Sequence, residues 1–247
     1  MSETCTGRAL RTRRLYRRGG PGLLTVPLDH PVFAGPSWPG DIDQLVATVA
    51  GHGADAVILH KGTLRRVNPT RFRDLALVLH LNASTRLAPD PEAKVPVATV
   101  EEALRLGADA VSVHVNLGSS TEDRQLGHLA AVAGACDRWG VPLLAMMYAD
   151  RPERCAHALA VAVELGADLV KTALPAAEHE ITRIIAGCPV PVLAAGGAAG
   201  SLSALATAVR AGAGGVAAGR LVFTAPDPGA MVRELSAITH DRALVAS

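Results

Sequence analysis

The chain has 247 residues, 49% of them hydrophobic, a length that fits one large domain with enough apolar surface for a continuous core. Its 24 Lys and Arg nearly balance 23 Asp and Glu, so charge gives no reason to expect nucleic acid or an anionic membrane as partner, and the apolar runs are only strand-length. The four cysteines, Cys5, Cys136, Cys155 and Cys188, form no CxxC pair, so reduced thiols in a cytoplasmic protein that handles small molecules are expected.

At the N-terminus, Arg8, Arg11, Arg13, Arg14, Arg17 and Arg18 run into Gly19-Gly20-Pro21, where an export signal would need a long apolar stretch. Residues 1–21 are therefore read as a basic extension, either solvated or in contact with another subunit. From residue 22 on, one phrase recurs: Gly53-Ala54-Asp55-Ala56-Val57, Gly107-Ala108-Asp109-Ala110-Val111, Gly166-Ala167-Asp168-Leu169-Val170 and Gly212-Ala213-Gly214-Gly215-Val216. Each begins with a glycine just past an amphipathic run and enters an apolar one, as expected of a left-handed helix cap followed by a strand. Other apolar runs lie between the repeats and bring the predicted strands to eight: 23–29, 56–61, 75–82, 110–116, 142–148, 169–172, 190–195 and 215–220. Predicted helices cover 41–50, 100–106, 122–139, 153–165, 178–186, 202–211 and 229–238, with the thinnest helical pattern over 68–73. Strands apolar on both faces suit a parallel sheet, and no GxGxxG follows the first strand, so the expected fold is α/β: a single-domain (β/α)8 TIM barrel over 22–247.

Chemistry in such barrels gathers where the strands end. Those ends carry Asp29 and His30, His60 and Lys61, His80 and Asn82, His114 and Asn116, Tyr148, and Lys171 with Thr172; the last two strands close on Gly196-Gly197 and Gly219-Arg220. Of the 24 basic residues only Lys61, Lys94 and Lys171 are lysines, so a lysine inside an apolar strand is unusual for this chain. A lysine offers what arginine cannot: an amine that loses its proton when desolvated and then attacks a carbonyl. Lys171 is accordingly the candidate nucleophile, with Lys61 expected in the pocket and close enough to lower its pKa by like-charge repulsion. The competing structural role is a buried ion pair with Asp29 or Asp168. The terminal glycines, with Arg220, suit a phosphate held by backbone amides.

The motifs Val26-Pro27-Leu28-Asp29-His30, Leu59-His60-Lys61-Gly62, Val113-His114-Val115-Asn116, Met146-Met147-Tyr148, Asp168-Leu169-Val170-Lys171-Thr172, Ala195-Gly196-Gly197 and Ala218-Gly219-Arg220 together resemble the class I aldolases of the archaeal-type fructose-bisphosphate aldolase and deoxyribose-phosphate aldolase group, with most likeness to the heptulosonate and heptanoate-phosphate synthases. The resemblance implies Lys171 as Schiff-base lysine, Tyr148 as general acid/base and Asp29 as assisting carboxylate. It further implies a phosphorylated ketone donor such as dihydroxyacetone phosphate, a small aldehyde acceptor such as aspartate semialdehyde, no cofactor or metal, and a homo-oligomer. Lys61, His30, His60, His114 and Asn116 would line the substrate pocket, and Gly196, Gly197, Gly219 and Arg220 would bind phosphate. Pro31, Leu174 and Ala149-Asp150-Arg151 depart from the group's pattern on the loop side of the pocket, which touches acceptor identity. The alternatives are transaldolase-type amino-dideoxyheptulosonate synthesis, fructose-bisphosphate cleavage, a phosphate-binding barrel without chemistry, and a metal-dependent aldolase using His30, His60, His80 and His114.

Overall fold

The computed structural model describes residues 3–241 apart from 17–19, 21, 39, 150 and 197–200. Eight strands, β1 (Leu23–Pro27), β2 (Ala56–Leu59), β3 (Ala76–His80), β4 (Ala110–Leu117), β5 (Leu143–Ala149), β6 (Leu169–Thr172), β7 (Val192–Ala195) and β8 (Gly215–Ala217), pair in parallel in chain order. Leu23 sits opposite Gly215, which joins the last strand to the first and closes the barrel. Around it lie α1 (Glu3–Leu15), α2 (Ile42–Gly51), α3 (Val100–Arg105), α4 (Glu122–Trp139), α5 (Cys155–Glu164), α6 (Glu178–Ala186), α7 (Leu202–Arg210) and α8 (Pro228–His240). The thin pattern over 68–73 becomes a 3-10 turn, Pro69–Arg73, because Pro69 starts it and only five residues are available before the next strand. No described helix is long and apolar enough to cross a membrane.

The repeated phrase folds as its chemistry requires. Gly53, Gly107, Gly166 and Gly212 all take positive φ, 112°, 82°, 92° and 106°, so each ends its helix in a conformation that a side chain would strain. The aspartates of the phrase bind backbone in the neighbouring strand. Asp55 accepts the amide of Leu24, Asp109 that of Leu77 and Asp168 that of Leu143, at 2.7, 3.0 and 2.8 Å. Each aspartate thus ties the start of its own strand to the start of the preceding one.

Side chains alternate across every strand. Leu24, Val26, Val57 and Leu59 belong to the core between strands and helices, whereas Leu23, Ala56, Ile58, Ala76, Val78, Leu144, Met146 and Leu169 fill the barrel interior.

The N-terminal basic segment is not a solvated extension over its described part. Its residues form α1, which lies across the N-terminal end of the barrel and inserts Leu15, 1% exposed, into the interior cluster. The arginines find partners there: Arg8 bonds Asp168 at 3.1 Å, Arg14 bonds Asp109 at 3.1 Å, and Arg11 donates to the carbonyl of Gly140 at 2.9 Å. The positive run thus complements carboxylates that the repeats line up on this face, a match invisible until the strands close into a ring.

Candidate active site

Extending the inward alternation beyond each strand leads to a ring of polar residues: Asp29, His60, His80, Asn82, His114, Asn116, Tyr148 and Lys171. All line one cavity of about 420 Å³ at the C-terminal end of the barrel. Above the packed interior these polar side chains face a hollow.

Lys171 is 9% exposed, paired in register with Met146 on one side and Leu193 on the other, and its Nζ lies 4.0 Å from the Met146 sulfur. Among the described residues this near partner of the amine is soft and uncharged. Tyr148, two residues after Met146, lies one inward step farther up, with its ring 4.8 Å from that of His114. Asp29 comes from the end of β1. Burial opposes ionisation of this carboxyl, but His80, Lys171 and His60 outweigh it and hold the pKa below its usual value. His80 Nε2 is 3.9 Å from Asp29 Oδ2 while its Nδ1 contacts Ser112 Oγ at 2.8 Å. Burial is the main force that lowers the His80 pKa to about 4, and it lowers that of His114 to about 3 with help from Lys94 and His80. His60, edge-on to His80 at 5.1 Å, is lowered by burial too. All three rings are therefore neutral near pH 7 and can pass or orient protons without adding charge. A desolvated amine beside a carboxylate and a phenol is the equipment for forming and breaking an imine.

The four histidines considered as metal ligands do not converge on one point. His30 packs against Phe223 and His114 bonds Asn116 Oδ1 at 2.8 Å, and among the described residues no three His, Cys, Asp or Glu side chains form a metal-holding group.

One expected pocket residue is elsewhere. Lys61 directly follows His60, and because strand side chains alternate it points outward, where both Glu102 oxygens accept from its Nζ at 3.1 Å. It is not among the residues that line the cavity. Lys94 occupies the pocket instead. It is carried there by a hairpin that the apolar pattern does not announce, in which Asn82–Ala83 pairs antiparallel with Val95–Pro96 and folds the intervening loop against the cavity. Gln125, fully buried on α4, anchors that loop by donating to the carbonyl of Glu92 at 2.9 Å and accepting the Asn116 amide at 2.8 Å. Asn116 Nδ2 donates to the same carbonyl. Asn82 pairs with the backbone of His114 through both ends of its amide. A glutamine inside an otherwise ordinary amphipathic helix offers no local signal of this role.

Gly196, Gly219, Arg220 and His30 line the cavity as well. Gly197 lies outside the described residues. The Gly196 amide donates to the carbonyl of Ala217 at 2.9 Å, so it does not face a ligand, which corrects its expected use as a phosphate donor. Both glycines also have packing reasons: a Cβ at Gly219 would sit 2.2 Å from the Pro27 carbonyl, and one at Gly196 would sit 2.9 Å from the Ala218 side chain. Gly219 opens the short helix Arg220–Phe223, and the exposed Arg220 lies close enough to His30 to help burial lower that ring's pKa.

The sequence model of the DeoC/LacD family of aldolases matches residues 23–225, from the first strand to just past the last. A 2-amino-4,5-dihydroxy-6-oxo-7-(phosphonooxy)heptanoate synthase from Streptomyces griseus is 50% identical over 95% of this chain and 90% of its own. A 2-amino-3,7-dideoxy-D-threo-hept-6-ulosonate synthase from Halobacterium salinarum is 43% identical over 90% and 88%. Among solved structures, a Schiff-base-forming fructose-1,6-bisphosphate aldolase superposes with a TM-score of 0.81 at 26% identity, covering 94% of this chain and all of that one. A family match spanning the whole barrel, with relatives of this identity and a neighbour of this shape, makes the chain a member of the DeoC/LacD aldolase family and a class I aldolase.

Proposed function

We propose that the enzyme joins dihydroxyacetone phosphate to L-aspartate semialdehyde through a Schiff base on Lys171. The observation that carries the reading is the setting of the Lys171 amine, with a methionine sulfur as its near neighbour and with Asp29 and Tyr148 lining the same cavity. The name of the Streptomyces relative supplies the carbon skeleton. In that heptanoate the 4-hydroxyl is β to the 6-oxo group, so aldol cleavage between carbons 4 and 5 releases a three-carbon keto phosphate and a four-carbon amino-acid aldehyde. Condensation is the reverse.

The Lys171 amine attacks the donor carbonyl, and the resulting carbinolamine loses its hydroxyl as water when Tyr148 donates a proton. The iminium formed withdraws electrons from the adjacent carbon. A base, the Tyr148 phenolate or Asp29 through it, removes a proton there to leave an enamine. That carbon attacks the acceptor aldehyde, the new alkoxide takes a proton, and water hydrolyses the iminium to free Lys171. Positioned acid/base groups of this kind contribute about 10²–10⁴-fold. Every step moves only protons and electron pairs, so no cofactor enters the cycle. Arg220, which lines the same cavity, suits the donor phosphate by charge.

Borohydride reduction in the presence of dihydroxyacetone phosphate should add the reduced donor's mass to Lys171 alone. Tyr148→Phe should slow turnover by the same roughly 10²–10⁴-fold while still permitting slow trapping. An adduct on Lys94 or Lys61, or none with any phosphorylated ketone, overturns the assignment.

A further inference from the structure

Among the described residues, five charged side chains line the cavity: Asp29, Glu92, Lys94, Lys171 and Arg220. The proposed chemistry uses Asp29, Lys171 and Arg220. Glu92 and Lys94 remain, opposite in sign, two residues apart on the loop between β3 and α3, and both line the cavity.

Lys94 is partly buried, yet among the described residues no carboxylate lies within 4.0 Å of its ammonium. Its neighbours are neutral: Ser84 Oγ at 2.6 Å, the Pro91 carbonyl at 3.2 Å, and the ring of Phe33 with its centroid at 5.3 Å. An ammonium has three N–H donors, and two oxygens leave one for a ligand. The site bears a cost, since burial lowers the Lys94 pKa and the charges of Glu92, Asp90 and Asp29 only partly restore it. A partly buried ammonium with a spare N–H and, among the described residues, no carboxylate within 4.0 Å is suited to an anion from outside. Glu92 has the complementary arrangement. Its backbone carbonyl is clamped by Asn116 and Gln125, which fixes the residue, while the residue itself stays exposed at the cavity rim, with no cation within 4.0 Å among the described residues.

We infer that Glu92 and Lys94 form the acceptor-recognition site, with Lys94 taking the α-carboxylate and Glu92 the α-ammonium of a zwitterionic amino-acid aldehyde. The inference rests on the proposed function and adds its specificity element. A second dianionic phosphate fits poorly here, because the Glu92 carboxylate would face it.

The test compares three acceptors with dihydroxyacetone phosphate as donor: L-aspartate semialdehyde, succinate semialdehyde, which lacks the amine, and propanal, which lacks both charged groups. Lys94→Met should lower kcat/KM about 10- to 100-fold for both carboxylate-bearing aldehydes, as loss of a charged hydrogen bond predicts, and leave propanal within about threefold. Lys94→Arg should keep part of the carboxylate preference. Glu92→Gln should weaken aspartate semialdehyde alone and so erase its advantage over succinate semialdehyde. Borohydride trapping of the donor at Lys171 should persist in each variant. If the variants change all three aldehydes equally, or Lys94→Met abolishes donor trapping, the inference is overturned while the Schiff-base reading stands. A parent enzyme that traps no donor overturns both.

Discussion

The two ends of the barrel handle charge in opposite ways. At the N-terminal end every carboxylate of the repeated phrase is engaged twice: each holds a strand amide, and each also meets a basic side chain, His240 for Asp55, Arg14 for Asp109 and Arg8 for Asp168. Leu15 seals the interior beneath them. At the C-terminal end the histidines are kept neutral by burial, Lys171 faces a sulfur, and Lys94 is held by neutral oxygens. Paired charge at one end supports the ring; unpaired polarity at the other is available to a substrate. The same strands carry both, so the ends can be perturbed separately.

The largest effect should come from a pair of substitutions that pulls the two ends apart. Lys171→Met should reduce turnover by a factor on the order of 10⁴ or more while leaving the melting temperature close to the parent's. Leu15→Ala should do the reverse, removing about 2–5 kcal/mol of stability in a urea titration with kcat/KM unchanged below the transition. A Leu15→Ala enzyme of parental stability would mean that α1 does not seal the barrel.

Legibility in the sequence follows the same division. Lys171, Tyr148 and Asp29 are readable because each sits on a strand or directly after one, where period-two alternation fixes the side it faces. Lys61 misleads by one step of that alternation: His60 faces inward, so Lys61 must face out to Glu102. Lys94 cannot be located from sequence because it lies 14 residues past His80 on a loop whose path depends on the hairpin at Asn82–Ala83 and on a contact with Gln125 of a later helix. The eight strands and seven of the helices are legible from periodicity and the glycine caps. The first helix is not: its arginines look like a solvated face until Asp109 and Asp168 are brought to one end of the barrel.

A smaller, graded effect should appear with acid. His80 and His114 have folded-state pKa values near 4 and 3 against an ordinary value of 6.5. Between those values the unfolded chain binds more protons than the folded one, so stability rises with pH and falls as pH drops from about 6.5 toward 4. The loss should be on the order of a few kcal/mol by urea unfolding. His80→Asn should flatten the slope, and an unchanged slope in that variant would place the proton uptake elsewhere. The smallest effect belongs to Arg14, whose side chain is 64% exposed in its pair with Asp109. Arg14→Ala should cost no more than about 1 kcal/mol, and salt should shrink it further.

The seal formed by α1 also bears on how the protein is made. During synthesis Arg8 precedes its partner Asp168 by 160 residues, and β1 gains its second neighbour only when Gly215 emerges. At roughly 5–20 residues per second, a ribosome takes about ten to thirty seconds to cover the first of these intervals. Over that time the nascent chain displays Leu15 and its arginines to solvent, and β1 offers one unpaired edge. Closure is therefore a late, long-range event, and a chain stalled before β8 is released with an open sheet where the finished protein has a ring.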